Sequence, residues 1–428
     1  MRLLAVTVVA IACTPAVAAA APGDLDPGFG GGAGWVRTLE VRAGEGNYLP
    51  RGAEDVALQP DGKVVAAGEL QDGRSSWYFG VFRYNADGSL DTSFGSGGWT
   101  AVDLGSFEHP RAVAVQPDGR IVVAGETDCE TARCFAAMRF NPDGSIDTSF
   151  GAGGVVRHEF YLNAAWANDM AIDRRGRIVL AGSRLRGGDA QDSELVCVMR
   201  LLPDGRPDPS FSGDGVALID HGYGNDSAEA VALQGGRIVV AGQGRNAAGA
   251  RFGVARLRSD GRLDRSFGRR GHRLISFGRN RLATAHAVTT APGGGLVVAG
   301  STAIEDRMPQ VAVTRLTRSG ALDRRFGRVR TSPGPFGGHA LAVAAPTRRS
   351  VLVAGRAFAD ASIDASDWAL IRYGRGGGLD RSFGAGGIAR ADFGTGSDKA
   401  TAVALTPDRA IVAGSIYESL GLARFVIR

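Results

Sequence analysis

Seven aspartates recur along this chain: Asp26, Asp91, Asp147, Asp208, Asp264, Asp323 and Asp380. A set of carboxylates this regular suggests acid–base or metal chemistry, but the regularity argues the other way. A residue needed once per repeat usually serves the repeat. Asp caps turns through its side-chain oxygen, and the nearby Phe fills the gap between sheets. Chemistry is better sought where the repeat breaks its own pattern. At one recurring position stand Glu54, Arg111, Asn168, Glu229, His286, Leu341 and Thr401. All but Leu341 are polar, and only Glu occurs twice. Glu54, Glu229 and His286 could supply the acid and base of a hydrolase or lyase if two of them faced one substrate. The same ring could equally bind a ligand without reacting with it, or simply be the wet rim of an opening.

Three recurring phrases must position these residues. The first is Leu-Asp-x-x-Phe-Gly, as in Leu90–Gly95 and Leu263–Gly268, with successive aspartates 56 to 65 residues apart. The second is a hairpin phrase, as in Val56–Gly68 and Val113–Gly125. Its Pro-Asp-Gly corner presets one φ and accepts φ > 0 at the glycine. Copies at Ala291–Gly295 and Thr347–Ser350 are eroded, and the latter needs another loop type. The third is a strand phrase, as in Phe79–Tyr84 and Phe135–Phe140. With a Gly-Gly-Val-type run after each Leu-Asp phrase, every unit holds four short strands and no helix. The polar ring lies two residues before the hairpin Val, at the start of the strand expected to line a central channel.

Units of this size repeated seven times form an array or a ring. The chain ends choose between them. The last unit stops at Arg428 after its third strand, and the missing phrase and strand stand at the N-terminus, in Asp24–Gly30 and Gly34–Leu39. A first strand that closes the last sheet removes the open edge. The expected fold is all-β: a seven-bladed β-propeller of four-stranded blades, the last blade closed by the N-terminal strand. Blades are expected at about 53–105, 110–160, 167–220, 228–276, 285–331, 340–392, and 398–428 plus 24–41.

The Gln-Pro-Asp-Gly-Lys/Arg hairpins, the Arg-(Tyr/Phe)-Asn-x-Asp-Gly turns and the Leu-Asp-x-x-Phe-Gly phrases resemble the delta-60 repeat of bacterial β-propeller proteins. The resemblance covers nearly all of the chain after residue 23. It implies the propeller and brings no catalytic residues.

Residues 1–20 read as an export signal, with Arg2, an apolar run from Leu3 to Ala12 and small residues at Ala18–Ala21. The expected product is a secreted, periplasmic or cell-envelope protein without a transmembrane segment; a lipid anchor through Cys13 is the weaker reading. Cys129 and Cys134 flank four residues of one loop and could close a disulfide or stay free, while Cys197 reads as a small buried hydrophobe. No spacing points to a metal or cofactor. The formal charge is +5, nearly all of it from arginine spread over every unit. Without an aromatic-interleaved basic strip, no nucleic-acid partner is expected. The overall expectation is a monomeric, non-catalytic scaffold binding a glycan, peptide or envelope partner. Trp77, Tyr161, Trp166 and Tyr223 are the aromatic candidates near its mouth.

Overall fold

The computed structural model describes residues 20–43, 46–72, 76–105, 107–160, 163–187, 193–222, 224–279, 281–304, 307–361, 365–394 and 396–428. The export signal and Cys13 lie outside the described residues, as do Tyr161 and Tyr223. Seven antiparallel sheets form a ring, each ordered from first strand to fourth outward from the centre. The first strands are Asp55–Leu58, Glu108–Val115, Ala165–Ile172, Ala230–Gln234, Arg281–Thr290, Gly338–Thr347 and Lys399–Leu405. Trp35–Thr38 supplies the fourth strand of blade 7, pairing Trp35 with Ala423 and Thr38 with Leu420. The only helical turn among the described residues is a 3-10 turn at Gly30–Gly32.

Blade 1 exceeds the expected four strands. Val41–Ala43 and Gly46–Pro50 form a hairpin that pairs Tyr48 with Asp72 on the far end of the second strand, giving a six-stranded sheet. The phrase reading missed it because the hairpin occurs once and carries no repeat. The eroded hairpin of blade 6 closes with Thr347 paired to Ser350 around a two-residue loop.

Seven apolar clusters fill the structure, each lying between neighbouring blades rather than inside one. The cluster joining blades 7 and 1 sets Ala402, Ile411 and Leu422 against Val56, Val64 and Phe82, so the ring has no weak seam. Alternation explains this placement: each strand shows one face to each neighbour, and both faces are apolar.

A polar latch repeats beside each cluster. The third strand contributes an arginine, and the Leu-Asp phrase contributes its aspartate. Six of the seven pairs close at 2.7–2.9 Å: Arg83–Asp91, Arg139–Asp147, Arg200–Asp208, Arg256–Asp264, Arg372–Asp380 and, across the chain ends, Arg424–Asp26. Each guanidinium lies over the Phe of the same phrase, 4.6–5.1 Å from the ring centre in these six. It also donates to a backbone carbonyl of the next blade, as Arg200 does to Ser259 at 2.6 Å and Arg424 to Ala86 at 2.6 Å. The other carboxylate oxygen accepts the N–H two residues on and, in most blades, a serine hydroxyl, as with Ser210 at Asp208. The structural reading of these aspartates therefore stands, with arginine as a partner that the phrase alone did not reveal.

Blade 5 is the exception. Arg315 makes no ion pair with Asp323. It sends its guanidinium to the carbonyl of Arg348 at 3.1 Å and lies 5.8 Å from the centre of Phe326.

Two expectations follow. Arg200→Ala, which leaves Asp208 with Arg177 at 3.5 Å and its Ser210 donors in a site where Arg200 is 1% exposed, should cost about 2–3 kcal/mol in urea unfolding. Arg315→Ala should cost under about 1 kcal/mol. Burial alone would raise the latch carboxyls, but serine, backbone and arginine partners outweigh it and lower Asp26, Asp91, Asp147, Asp208 and Asp264; at Asp264 the value falls to about 2. A lowered folded-state value stabilises above the unfolded value of about 4 and is lost as pH falls through the folded one. Melting temperature should therefore drop progressively from about pH 4 to pH 2 in a thermal titration.

Candidate functional site

The strand start where the varied residues sit is not plain β-structure. In blades 2, 3, 5, 6 and 7 the first strand slips register by one residue, between Pro110 and Ala112, Ala167 and Asp169, Ala285 and Ala287, Ala340 and Ala342, and Ala400 and Ala402. The extra residue is Arg111, Asn168, His286, Leu341 or Thr401. In blades 1 and 4 the first strand instead begins just after Glu54 and Glu229, whose N–H groups donate to Ala67 and Ala241 at 2.8 Å. This corrects the expectation of simple two-residue alternation. A β-bulge turns two consecutive residues toward one side, so both the varied residue and the one after it face the channel.

The glycine ending each hairpin phrase makes the bulge possible. A Cβ on Gly125, Gly182 or Gly355 would come within 1.7–1.9 Å of the carbonyl oxygen of His109, Trp166 or His339. Only glycine lets the two backbones approach so closely.

The seven first strands converge on a cavity of about 200 Å³ lined by Glu54, Arg111, Asn168, His286, Leu341 and Thr401, together with Asp55 and Asp169. Glu229 is not in this lining. Burial raises its carboxyl above the usual range, with the charge of Glu194 adding and a bond from Ser227 opposing. Two of the gathered residues are occupied in holding blades together: the Asn168 amide donates to Ala228 at 2.9 Å, and the Thr401 hydroxyl to Ala53 at 2.6 Å. Glu54 faces two cations, Lys399 at 3.6 Å and Arg111 at 3.8 Å, and Arg111 also reaches Glu126 at 3.1 Å. His286 shares a hydrogen bond with Ser301 at 3.0 Å. Burial and the Arg356 charge push His286 down to about 4, and burial with the His286 and Arg356 charges pushes His339 down to about 3. Both rings are neutral at pH 7.

Charge is therefore unevenly distributed around the mouth. Glu54, Glu69, Glu126 and the His109–Glu69 contact stand on blades 1 and 2. His286, His339 and Arg356 stand on blades 5 and 6, with the two rings 6.1 Å apart and Arg356 stacked on Phe358.

Asp55 and Asp169 were missed by the sequence reading. Each accepts one N–H from its own strand and one from the next blade: Asp55 from Val56 and Val113, Asp169 from Met170 and Val231, all at 2.7–2.8 Å. Burial within the ring pushes both carboxyls up to about 7 against these donors, although part of each residue still faces the channel space. The signal was present in the repeat, since the equivalent position elsewhere is Ala112, Ala230, Ala287, Ala342 and Ala402.

The remaining expected residues are scattered. Trp166 lies on a first strand and Trp77 at the start of a third, both half-buried. Cys129 and Cys134 are joined in a disulfide that ties the outer loop of blade 2, and Cys197 is fully buried. Among the described residues no cluster of His, Cys, Asp and Glu is placed to hold a metal ion, and no helix is long and apolar enough to cross a membrane.

A family model described as a β-propeller domain of unknown function (DUF5122) matches residues 59–94, 116–150, 176–211 and 236–267, within blades 1 to 4. No curated protein matches the chain by sequence. Among solved structures, the polysaccharide lyase Uly1 aligns with a TM-score of 0.50 at 10% identity, over 88% of this chain and 90% of its own. Sqt1 of Chaetomium thermophilum aligns at 0.48 and 13% identity, over 88% and 95%. A Dyadobacter fermentans protein of unknown function aligns at 0.43 and 12% identity, over 92% and 100%. At such identities the likeness is one of fold.

Asp169→Ala should leave the Met170 and Val231 N–H groups unpartnered and cost about 2–4 kcal/mol at pH 5. A raised folded-state value stabilises fully below the unfolded value near 4 and is lost as pH rises through 7. The cost measured by urea unfolding should therefore be smaller at pH 8 than at pH 5.

Proposed function

We propose that this chain is a secreted, non-catalytic binding propeller that seats a polar ligand, a glycan or peptide of the cell envelope, at the connector-face mouth. One observation carries the reading: at one position of strands that otherwise repeat one another, five blades bring five different polar side chains, Glu54, Arg111, Asn168, His286 and Thr401, to one cavity. A position that served only the ring would hold similar residues in every blade, as the latch does. The β-bulge releases this position from packing, so its side chain is free to vary with the ligand. Glu54, Arg111 and His286 offer acceptors and donors that the fold does not consume on backbone partners. Export rests on the N-terminal pattern of Arg2, Leu3–Ala12 and Ala18–Ala21.

A hydrolase or lyase would need acid and base groups over one substrate. Here Glu54 is engaged by Arg111 and Lys399, His286 by Ser301, and Glu229 stands outside the cavity lining. Binding is the reading these contacts favour.

A thermal-shift screen of the protein against oligosaccharides and peptidoglycan fragments tests it, with the Glu54→Ala/Glu229→Ala/His286→Ala variant alongside. A ligand at a hundredfold excess over its Kd should stabilise the wild type by about 2.7 kcal/mol and leave the variant's midpoint unmoved. An equal shift in both would place binding elsewhere.

A further inference from the structure

The face opposite the mouth gathers the turns between first and second strands and between third and fourth. On blade 5, at its junction with blade 6, these turns enclose a cleft of about 610 Å³. Its walls carry six arginines, Arg315, Arg318, Arg325, Arg348, Arg349 and Arg375, and a single carboxylate, Asp323. Among the described residues none of the six arginines forms an ion pair.

The other blades show how unusual this is. In blades 1 to 4 a second cation, Lys63, Arg120, Arg177 or Arg237, enters at the hairpin corner and meets the latch aspartate at 2.6–3.5 Å. In blade 5 that position is Gly295. The corner aspartates Asp61 and Asp118 of blades 1 and 2 give way to Gly293 in blade 5 and to the Arg348–Arg349 loop in blade 6. The outer-turn aspartates Asp87, Asp143, Asp204 and Asp260 give way to Ser319 and Gly376, each preceded by an arginine.

A larger cleft of about 870 Å³ between blades 3 and 4 is just as rich in arginine. There Arg177, Arg200, Arg237 and Arg258 are neutralised by Asp173, Asp208, Asp264 and Asp260, and among the described residues only Arg174 and Arg175 are left without an ion pair. Against two of six arginines without an ion pair between blades 3 and 4, all six at blade 5 lack one, so unneutralised charge is concentrated at blade 5. Its latch is opened as well, since Arg315 has left Asp323 for a carbonyl.

We propose that the blade 5 cleft binds an acidic polysaccharide, whose carboxylate or sulfate groups stand where the other blades place aspartate. Guanidinium forks match such groups in bidentate fashion. Unpaired cations crowded in a cleft focus a positive field on it. The volume falls within the range of about 300–1,000 Å³ common for ligand sites. No aromatic ring lines the cleft, so stacked bases would find no platform. Arg318 and Arg375 occupy the same turn position in successive blades, a repeated spacing of charge that suits a polymer with regularly spaced anions. Lying on the opposite face, this site is independent of the mouth reading.

The test measures anisotropy of labelled oligogalacturonate, dextran sulfate, neutral dextran and single-stranded DNA with the purified protein at low salt. One or both acidic glycans should bind and neutral dextran should not, the responding polymer identifying carboxylate or sulfate as the recognised group. Arg318→Gln/Arg348→Gln/Arg375→Gln should weaken binding by about tenfold or more, with an unchanged melting point. Arg174→Gln/Arg175→Gln, which removes the two unpaired arginines of the cleft between blades 3 and 4, should stay within about twofold of wild type. The proposal is overturned if neither acidic glycan binds, if both variants weaken binding equally or not at all, or if DNA binds as tightly as the glycans.

Discussion

An arginine folded over a phenylalanine and clamped by an aspartate holds six of the seven blades of this ring to the next. The arrangement solves a problem particular to propellers. A four-stranded sheet has two apolar faces and no core of its own, so its stability comes from its neighbours, and the sheets must be locked at one angle. In the latch, the guanidinium covers the ring of Phe and meets a carboxylate along one edge. Its remaining N–H groups reach the turn of the next blade. Arg200 and Asp208 are each nearly sealed from water, so each is the nearest charge the other can find. Closure of the ring uses the same device across the chain ends, where Arg424 finds Asp26.

The inner end of each blade is built on a different principle. In five blades a bulge presses a carbonyl against the second strand, and a glycine clears the space for it. The bulge places an extra side chain in the channel without asking it to pack. Some blades use that side chain structurally, as Asn168 and Thr401 do in reaching across to neighbouring carbonyls. Others, such as Arg111 and His286, leave it facing the cavity, and neighbouring side chains make the mouth electrostatically lopsided, with carboxylates on blades 1 and 2 and neutral histidines beside an arginine on blades 5 and 6. A rigid ring with a non-repeating rim is a reasonable platform for recognition, because the rim can change residue by residue while the latches hold the frame.

Blade 5 shows what happens when the latch itself is relaxed. Its aspartate no longer holds its arginine, its corner has lost both the acidic residue and the second cation, and the outer turns of blades 5 and 6 have lost Asp and carry Arg318 and Arg375 one residue earlier. Unbalanced charge in a cleft carries a cost that the paired clefts do not. The protein tolerates that cost on one sector of one face.

Much of this architecture was written along the chain. The repeat length, the turn chemistry and the split last unit determined a seven-bladed ring closed by the first strand, because period-two strands with Pro-Asp-Gly corners have few other ways to bury two faces. The latch was also legible: Arg and Asp stand eight residues apart in six units, a spacing that the aspartates considered alone concealed. The glycine ending every hairpin phrase marked the bulge, and Asp55 and Asp169 stood where five other units have alanine. Tertiary structure decided the rest. Pairwise alternation could not anticipate a bulge, so it could not show that two neighbouring residues share the channel or that Glu229 falls outside the cavity. Nor could a residue list distinguish the neutralised arginines of blades 3 and 4 from the unpaired ones of blade 5. Whether a charge is free depends on which carboxylates lie within a few ångströms of it, and these range from near neighbours in sequence, as for Arg258 and Asp260, to the opposite end of the chain, as for Arg424 and Asp26.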